Sequence, residues 1–127
     1  MQLWLKLNLY KHMERNTHKI DATGKIAGRL ASQIAMLLQG KNKADYQPQV
    51  DNGDIVEVSN VAAMKFSGKK LDTKVYYRTT AYPGGIRNKS LKDMMAKNPD
   101  QVLRQIVRLM LPDNKLRVNR IKRLKIS

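Results

Sequence analysis

Residues His18–Gly40 read HKIDATGKIAGRLASQIAMLLQG. His18-Lys19-Ile20-Asp21-Ala22 suits a short extended segment, and Thr23-Gly24 breaks it. From Lys25 the apolar period becomes helical: Ala27, Leu30, Ala31, Ile34, Ala35, Leu37 and Leu38 form one broad stripe. Gly28 sits in the first turns of that helix, where glycine costs stability, so close backbone packing is expected there. Gly40 suits a left-handed stop. Strand, tight turn and helix in that order open an α/β layer.

Outward from this unit, residues 41–53 form a connection that ends in the turn signal Asn52-Gly53. Asp54-Ile55-Val56-Glu57-Val58 is a β-branched run that predicts a strand closed by Asn60. Gly68-Lys69-Lys70 marks a basic turn between Met64–Ser67 and a further strand, Lys74–Arg78. Pro83-Gly84-Gly85 predicts a flexible but confined loop. Ser90 opens a short helix in capping-box form. Asn98-Pro99 opens another, with Val102, Leu103, Ile106, Val107, Leu109 and Met110 as its apolar face and Pro112 as its end. Leu116, Ile121, Leu124 and Ile126 then alternate with bases as far as the terminus. The reading is a single three-layer α/β domain with a central, mostly parallel sheet flanked by helices, and a basic C-terminal extension docked as strand or coil. Residues 1–17 are expected to be a variable N-terminal extension and 18–127 the domain.

The chain has 127 residues, a net charge of +15 and a pI near 10.3. So much positive charge repels itself in a compact body unless an acidic partner neutralises it, and nucleic acid is the fitting partner. The charge is uneven: residues 31–64 hold two bases against four acids, whereas 104–127 hold eight bases against one acid, Asp113. Such asymmetry favours a directed binding face. The absence of Cys excludes disulfides, thiolate chemistry and zinc ribbons. His12 and His18 have no second cluster that would complete a metal site and read as a solvated pair. No apolar run is long enough to span a bilayer. Leu3, Leu5, Leu7 and Leu9 alternate in a start that lacks the continuous apolar core of a signal peptide, and an ordered extension that pairs with something fits as well.

The turn Gly24–Arg29 has neither dinucleotide nor Walker spacing, although a helix start flanked by Lys25 and Arg29 can meet a backbone phosphate. Asp45, Asp51, Asp54 and Glu57 cluster in sequence with no His or Cys nearby in the chain, and Asp54 and Glu57 fall on opposite faces of a regular strand. They read as turn and strand-end carboxylates, not as an acid–base pair. Tyr76, Tyr77 and Tyr82 interleave with Lys74, Arg78 and Arg87, so that rings can stack on exposed bases while cations meet phosphates. Of Tyr76 and Tyr77, which face opposite ways, one belongs to the core. In the tail, Arg108, Lys115, Arg117, Arg120, Lys122, Arg123 and Lys125 position a chain on phosphates without reading sequence.

Four segments in order resemble the large-subunit ribosomal protein L13 family: HKIDATGKIAGRLASQIAMLLQGKNKADYQPQVDNGDIVEVSN, FSGKKLDTKVYYRTTAYPGG, SLKDMMAKNPDQVLRQIVRLMLPDNKL and RIKRLKI. The resemblance covers about Lys19 to Ile126. It implies a non-catalytic α/β protein bound to large-subunit ribosomal RNA beside neighbouring ribosomal proteins in a cytoplasmic ribosome. It implies no cofactor, membrane or small-molecule substrate. By position it carries RNA contact to Lys25, Gly28, Arg29, Lys41, Lys43, Lys69, Lys70, Tyr76, Tyr77, Arg78, Tyr82, Gly84, Gly85, Arg108, Lys115, Lys122, Arg123 and Lys125. The residue pattern itself adds Lys74, Arg87, Arg117 and Arg120. Leu109, Asp113 and Arg117 depart from the family's usual residues. The alternative reading is a free RNA-binding regulator that silences a message.

Overall fold

A computed structural model describes residues 15–127. The leucine alternation at Leu3–Leu9 and His12 lie outside them. Three parallel strands, β1 (Thr17–Asp21), β2 (Ile55–Ser59) and β5 (Leu124–Ile126), form a sheet in the order β1-β2-β5. Registers Ile20↔Val58↔Ile126 and Val56↔Leu124 align the apolar residues on one face. On the other face Lys19, Glu57 and Lys125 stand in a row, an acid between two bases, which is a favourable cross-strand arrangement.

Helix α1 (Ala27–Gln39) covers the apolar face. Its Leu30, Ile34 and Leu38 are buried with Val56, Val58 and Leu124 in one core. Ile26 occupies the N-cap position without a side-chain cap. A parallel bridge to Lys65 holds the chain there: the Ala27 N–H donates to the Lys65 carbonyl and the Lys65 N–H to the Lys25 carbonyl, both at 2.8 Å. At the other end Gly40 is left-handed, with φ 78°, and its N–H bonds to the Met36 and Leu37 carbonyls. This is the expected stop.

Gly28 departs from expectation. It is exposed, and a Cβ there would meet nothing within 4 Å. The close backbone approach occurs instead at Gly53, where a Cβ would overlap the Leu38 carbonyl at the end of α1 and come 2.6 Å from the Arg123 guanidinium. Gly28→Ala is therefore expected to raise stability by about 0.4–1 kcal/mol, read as a higher melting temperature.

After β2, Asn60 is left-handed (φ 57°) and leads into a single 3₁₀ turn, Val61–Ala63. The short helix α2 (Lys70–Thr73) precedes β3 (Val75–Thr79). β3 pairs antiparallel with β4 (Ile86–Ser90) in a separate two-stranded sheet. β4 was not expected: IRNKS has almost no apolar content and lies mostly exposed, so it carries no core-facing alternation. The Pro83–Gly85 loop is the turn of this hairpin. It is tied by backbone bonds from Thr80 N–H to the Gly85 carbonyl (2.9 Å) and from Gly85 N–H to the Tyr82 carbonyl (3.0 Å).

Ser90 ends β4 and caps α3 (Leu91–Lys97), its hydroxyl accepting the Asp93 N–H at 3.3 Å. Helix α4 (Pro99–Met110) packs on α1 through buried Val102, Leu103 and Val107. Leu109 and Met110 are not on that buried face; they are 62% and 41% exposed. Beyond Pro112 the tail forms helix α5 (Leu116–Lys122) and then β5, so helix replaces much of the expected strand or coil. Ile121 and Ile126 pack against the core and Leu124 is inside it.

Candidate nucleic-acid interface

The cations divide into those spent inside the fold and those left outside. Asp51 and Asp54, at the turn that leads into β2, collect the inward set. Arg123 grips Asp51 with both terminal nitrogens, at 2.5 and 2.6 Å, and donates to the Leu38 carbonyl at 2.8 Å. Arg120 is 1% exposed, with its Nε 3.6 Å from Asp51. Arg15 donates to the Gly53 carbonyl at 2.5 Å and reaches Asp51 at 4.0 Å. Buried Asp54 accepts from the Lys43 ammonium and the His18 Nε2, each at 2.8 Å, and from the Asn16 N–H at 3.2 Å. These contacts tie the start of β1, the 43–54 connection and the tail into one lock.

This placement changes several sequence readings. Arg120 and Arg123 are structural, because both guanidinium groups are turned inward: Arg123 is hydrogen-bonded to Asp51, and buried Arg120 stands beside Asp51 at 3.6 Å with its Nε and Nη2 making no hydrogen bond among the described residues. Lys43 is held by Asp54 and by the Asn52 carbonyl at 2.9 Å. Arg117 pairs with Asp113 at 2.9 Å, one helical turn away. His18 is partly exposed but not unpartnered, and the acids do have a histidine partner, which the fold brings from 36 residues away. The one sequence signal available was Arg120, four residues after Leu116 and so on the apolar stripe of α5.

Burial pushes the Asp54 carboxyl up. The hydrogen bonds from Lys43, His18 and Asn16, with the Lys43 charge, outweigh burial, and its pKa lies below the ordinary value. Arg15 is shifted down by burial first and then by the Arg123 charge, against the opposing pull of Asp51 and Asp54. A depressed carboxyl contributes stability that is complete above the unfolded-state value, near 3.9, and is lost as pH falls through the folded-state value. Below about pH 4 the wild type should therefore lose stability more steeply than Asp54→Asn. Urea midpoints measured across pH 2–6 for both proteins check this; parallel curves would show that the Asp54 carboxylate carries no such stability.

The outward cations fall into groups. Lys25 and Arg29 are exposed at the start of α1, as are Lys69 at the turn before α2 and Lys70 at its first position. Gly28, Lys70, Lys74 and Tyr76 line one cleft of about 330 Å³, together with apolar residues that include Phe66, Leu91 and Ile106. The Lys74 ammonium stands 5.5 Å from the centre of the Tyr76 ring. Tyr76 is the core-side tyrosine, its phenol shifted up by burial, whereas Tyr77 is 72% exposed. Arg78, Tyr82, Gly85 and Arg87 come together at the hairpin end, beside Gly84. Lys115, Lys122 and Lys125 are exposed on the tail, Arg108 on α4, and Lys41 just past α1. Lys89, which sequence reading passed over, shares a hairpin face with Tyr76, its cross-strand partner.

Among the described residues, no three His, Cys, Asp or Glu residues gather to hold a metal, and no helix is long and apolar enough to cross a membrane. The arrangement can neutralise phosphates at several separated places and offers two exposed rings, Tyr77 and Tyr82, on the hairpin.

The family model for ribosomal protein L13 matches residues 15–126. The chain belongs to the ribosomal protein L13 family. The matched span starts at Arg15, which is tied into the Asp51–Asp54 lock, and ends in β5. Relatives of the L13 family include the large ribosomal subunit protein uL13 of Aquifex aeolicus, 47% identical over 91% of this chain and 81% of its own length. The uL13 of Chloroflexus aurantiacus is 46% identical over 90% and 79%, and that of Thermotoga petrophila 43% over 91% and 78%. L13 proteins are structural proteins of the ribosome, so the chain is not an enzyme, and the α/β fold with a parallel sheet agrees with the sequence expectation.

Proposed function

We propose that this chain is a structural constituent of the large ribosomal subunit in the cytoplasm. In this reading it binds large-subunit ribosomal RNA through its outward cations, supports subunit assembly, and lies beside neighbouring ribosomal proteins. The observation that carries the reading is the division of charge. Asp51 and Asp54 are consumed by inward cations, while Arg78, Arg87, Lys122 and Lys125 have no ion-pair partner among the described residues. A surface built this way is completed by an external polyanion. The RNA-contacting set is Lys25, Arg29, Lys69, Lys70, Lys74, Tyr77, Arg78, Tyr82, Arg87, Arg108, Lys115, Lys122 and Lys125, with Lys41 beside it.

Sedimentation tests the assignment. In low-magnesium gradients that split the ribosome, the protein should travel with the large subunit. Recovery in the free-protein fractions, or bound to messenger RNA alone, would sink it and favour a free regulator.

A further inference from the structure

Arg78 lies directly opposite Arg87 across the β3–β4 pair. Like charges in that position destabilise a sheet, and neither guanidinium has a carboxylate partner among the described residues. A two-stranded hairpin has little stability of its own to lose. The two arginines share a concavity of about 540 Å³ with Thr79, Thr80 and Tyr82, within the range of roughly 300–1,000 Å³ typical of small-ligand sites. Tyr82 is 81% exposed, although a ring of that size normally gains from burial. The turn beneath it is closed by the two bonds at Thr80 and Gly85, and a Cβ on Gly85 would overlap the Thr80 hydroxyl. The site is thus formed in advance, with two positive charges facing each other and an aromatic face left open.

We propose that this concavity seats one unstacked nucleotide from a single-stranded stretch of RNA, with Tyr82 stacked on the base and Arg78 and Arg87 flanking its phosphates. The proposal rests on the RNA-binding reading and narrows it from dispersed phosphate contacts to a single-nucleotide site. A phosphodiester between the arginines removes the cross-strand repulsion. The tyrosine then supplies the π-face that an unstacked base uses, and Thr79 and Thr80 offer hydroxyls to its ribose. An unbroken duplex keeps its bases stacked, so it meets the arginines alone.

The test uses the full chain with two RNAs: a stem–loop carrying 2-aminopurine in its loop, and the same stem continued as an unbroken duplex. Tyr82→Ala is expected to weaken stem–loop binding roughly 5- to 150-fold, the range for loss of one base–aromatic stack, and to abolish the quenching of 2-aminopurine. Tyr82→Phe should keep both. Duplex binding should be unchanged by either substitution. If Tyr82→Ala weakens both RNAs equally, or neither, the nucleotide site is refuted while the broader RNA reading stands. If the wild type binds neither RNA, both are refuted.

Discussion

Removal of residues 113–127 should abolish cooperative folding as well as RNA binding. The cut deletes Leu124, which is 1% exposed, and strips β2 of its β5 partner. Loss of one such buried leucine side chain alone costs about 2–5 kcal/mol. The cut also removes Arg123 and Arg120 from the half-buried Asp51 carboxylate, and breaking a buried ion pair from one side costs about 3–5 kcal/mol. Together these approach or exceed the total stability of a domain, about 5–15 kcal/mol. Thermal unfolding followed by circular dichroism should show no cooperative transition for the truncated chain. A melting temperature near that of the full chain would mean that the tail is only an electrostatic arm.

Gly53→Ala is the point substitution with the largest expected effect. The added methyl would overlap backbone, the Leu38 carbonyl, and that same carbonyl receives the Arg123 guanidinium at 2.8 Å. Backbone cannot rotate aside as a side chain can. Relief requires the end of α1 to separate from the turn before β2, and this would also loosen the Arg123–Asp51 grip. The expected loss is about 3 kcal/mol or more, at or above the upper end of ordinary overpacking, seen as a fall in the urea midpoint. Gly28→Ala, in the same protein, should move the midpoint the other way. A Gly53→Ala protein as stable as the wild type would show that the helix end and the turn are packed more loosely than they look.

The two glycines show what a sequence conceals. Both were legible as punctuation, Gly28 inside a helical stripe and Gly53 in a turn dipeptide. Which one faces backbone depends on how distant elements meet. Local periodicity carried most of the first unit, because α1 and β2 each bury one face over enough residues to leave a pattern. β4 left none, since it buries almost nothing. β5 is three residues long, too short for alternation to separate it from coil. The lock was hidden for a different reason: Asp51 and Arg123 are 72 positions apart. In composition, an inward arginine is indistinguishable from an outward one. Hence the basic tail read as uniform binding surface, when two of its arginines hold the fold and Lys115, Lys122 and Lys125 remain outside.

That division between inward and outward cations is the central claim, and salt dependence measures it directly. Binding of the full chain to a large-subunit ribosomal RNA fragment would be followed across a range of salt concentrations for the wild type, Lys122→Gln/Lys125→Gln and Arg123→Lys. The double lysine variant should lower the slope of log affinity against log salt by about 0.7–0.9 for each phosphate that is no longer neutralised and lower the melting temperature only slightly, through loss of the Lys125–Glu57 cross-strand contact. Arg123→Lys should lower the melting temperature, since an ammonium cannot reproduce the two-nitrogen grip on Asp51, and leave the slope as it is. The opposite pattern, or wild-type binding that ignores salt, would contradict the account.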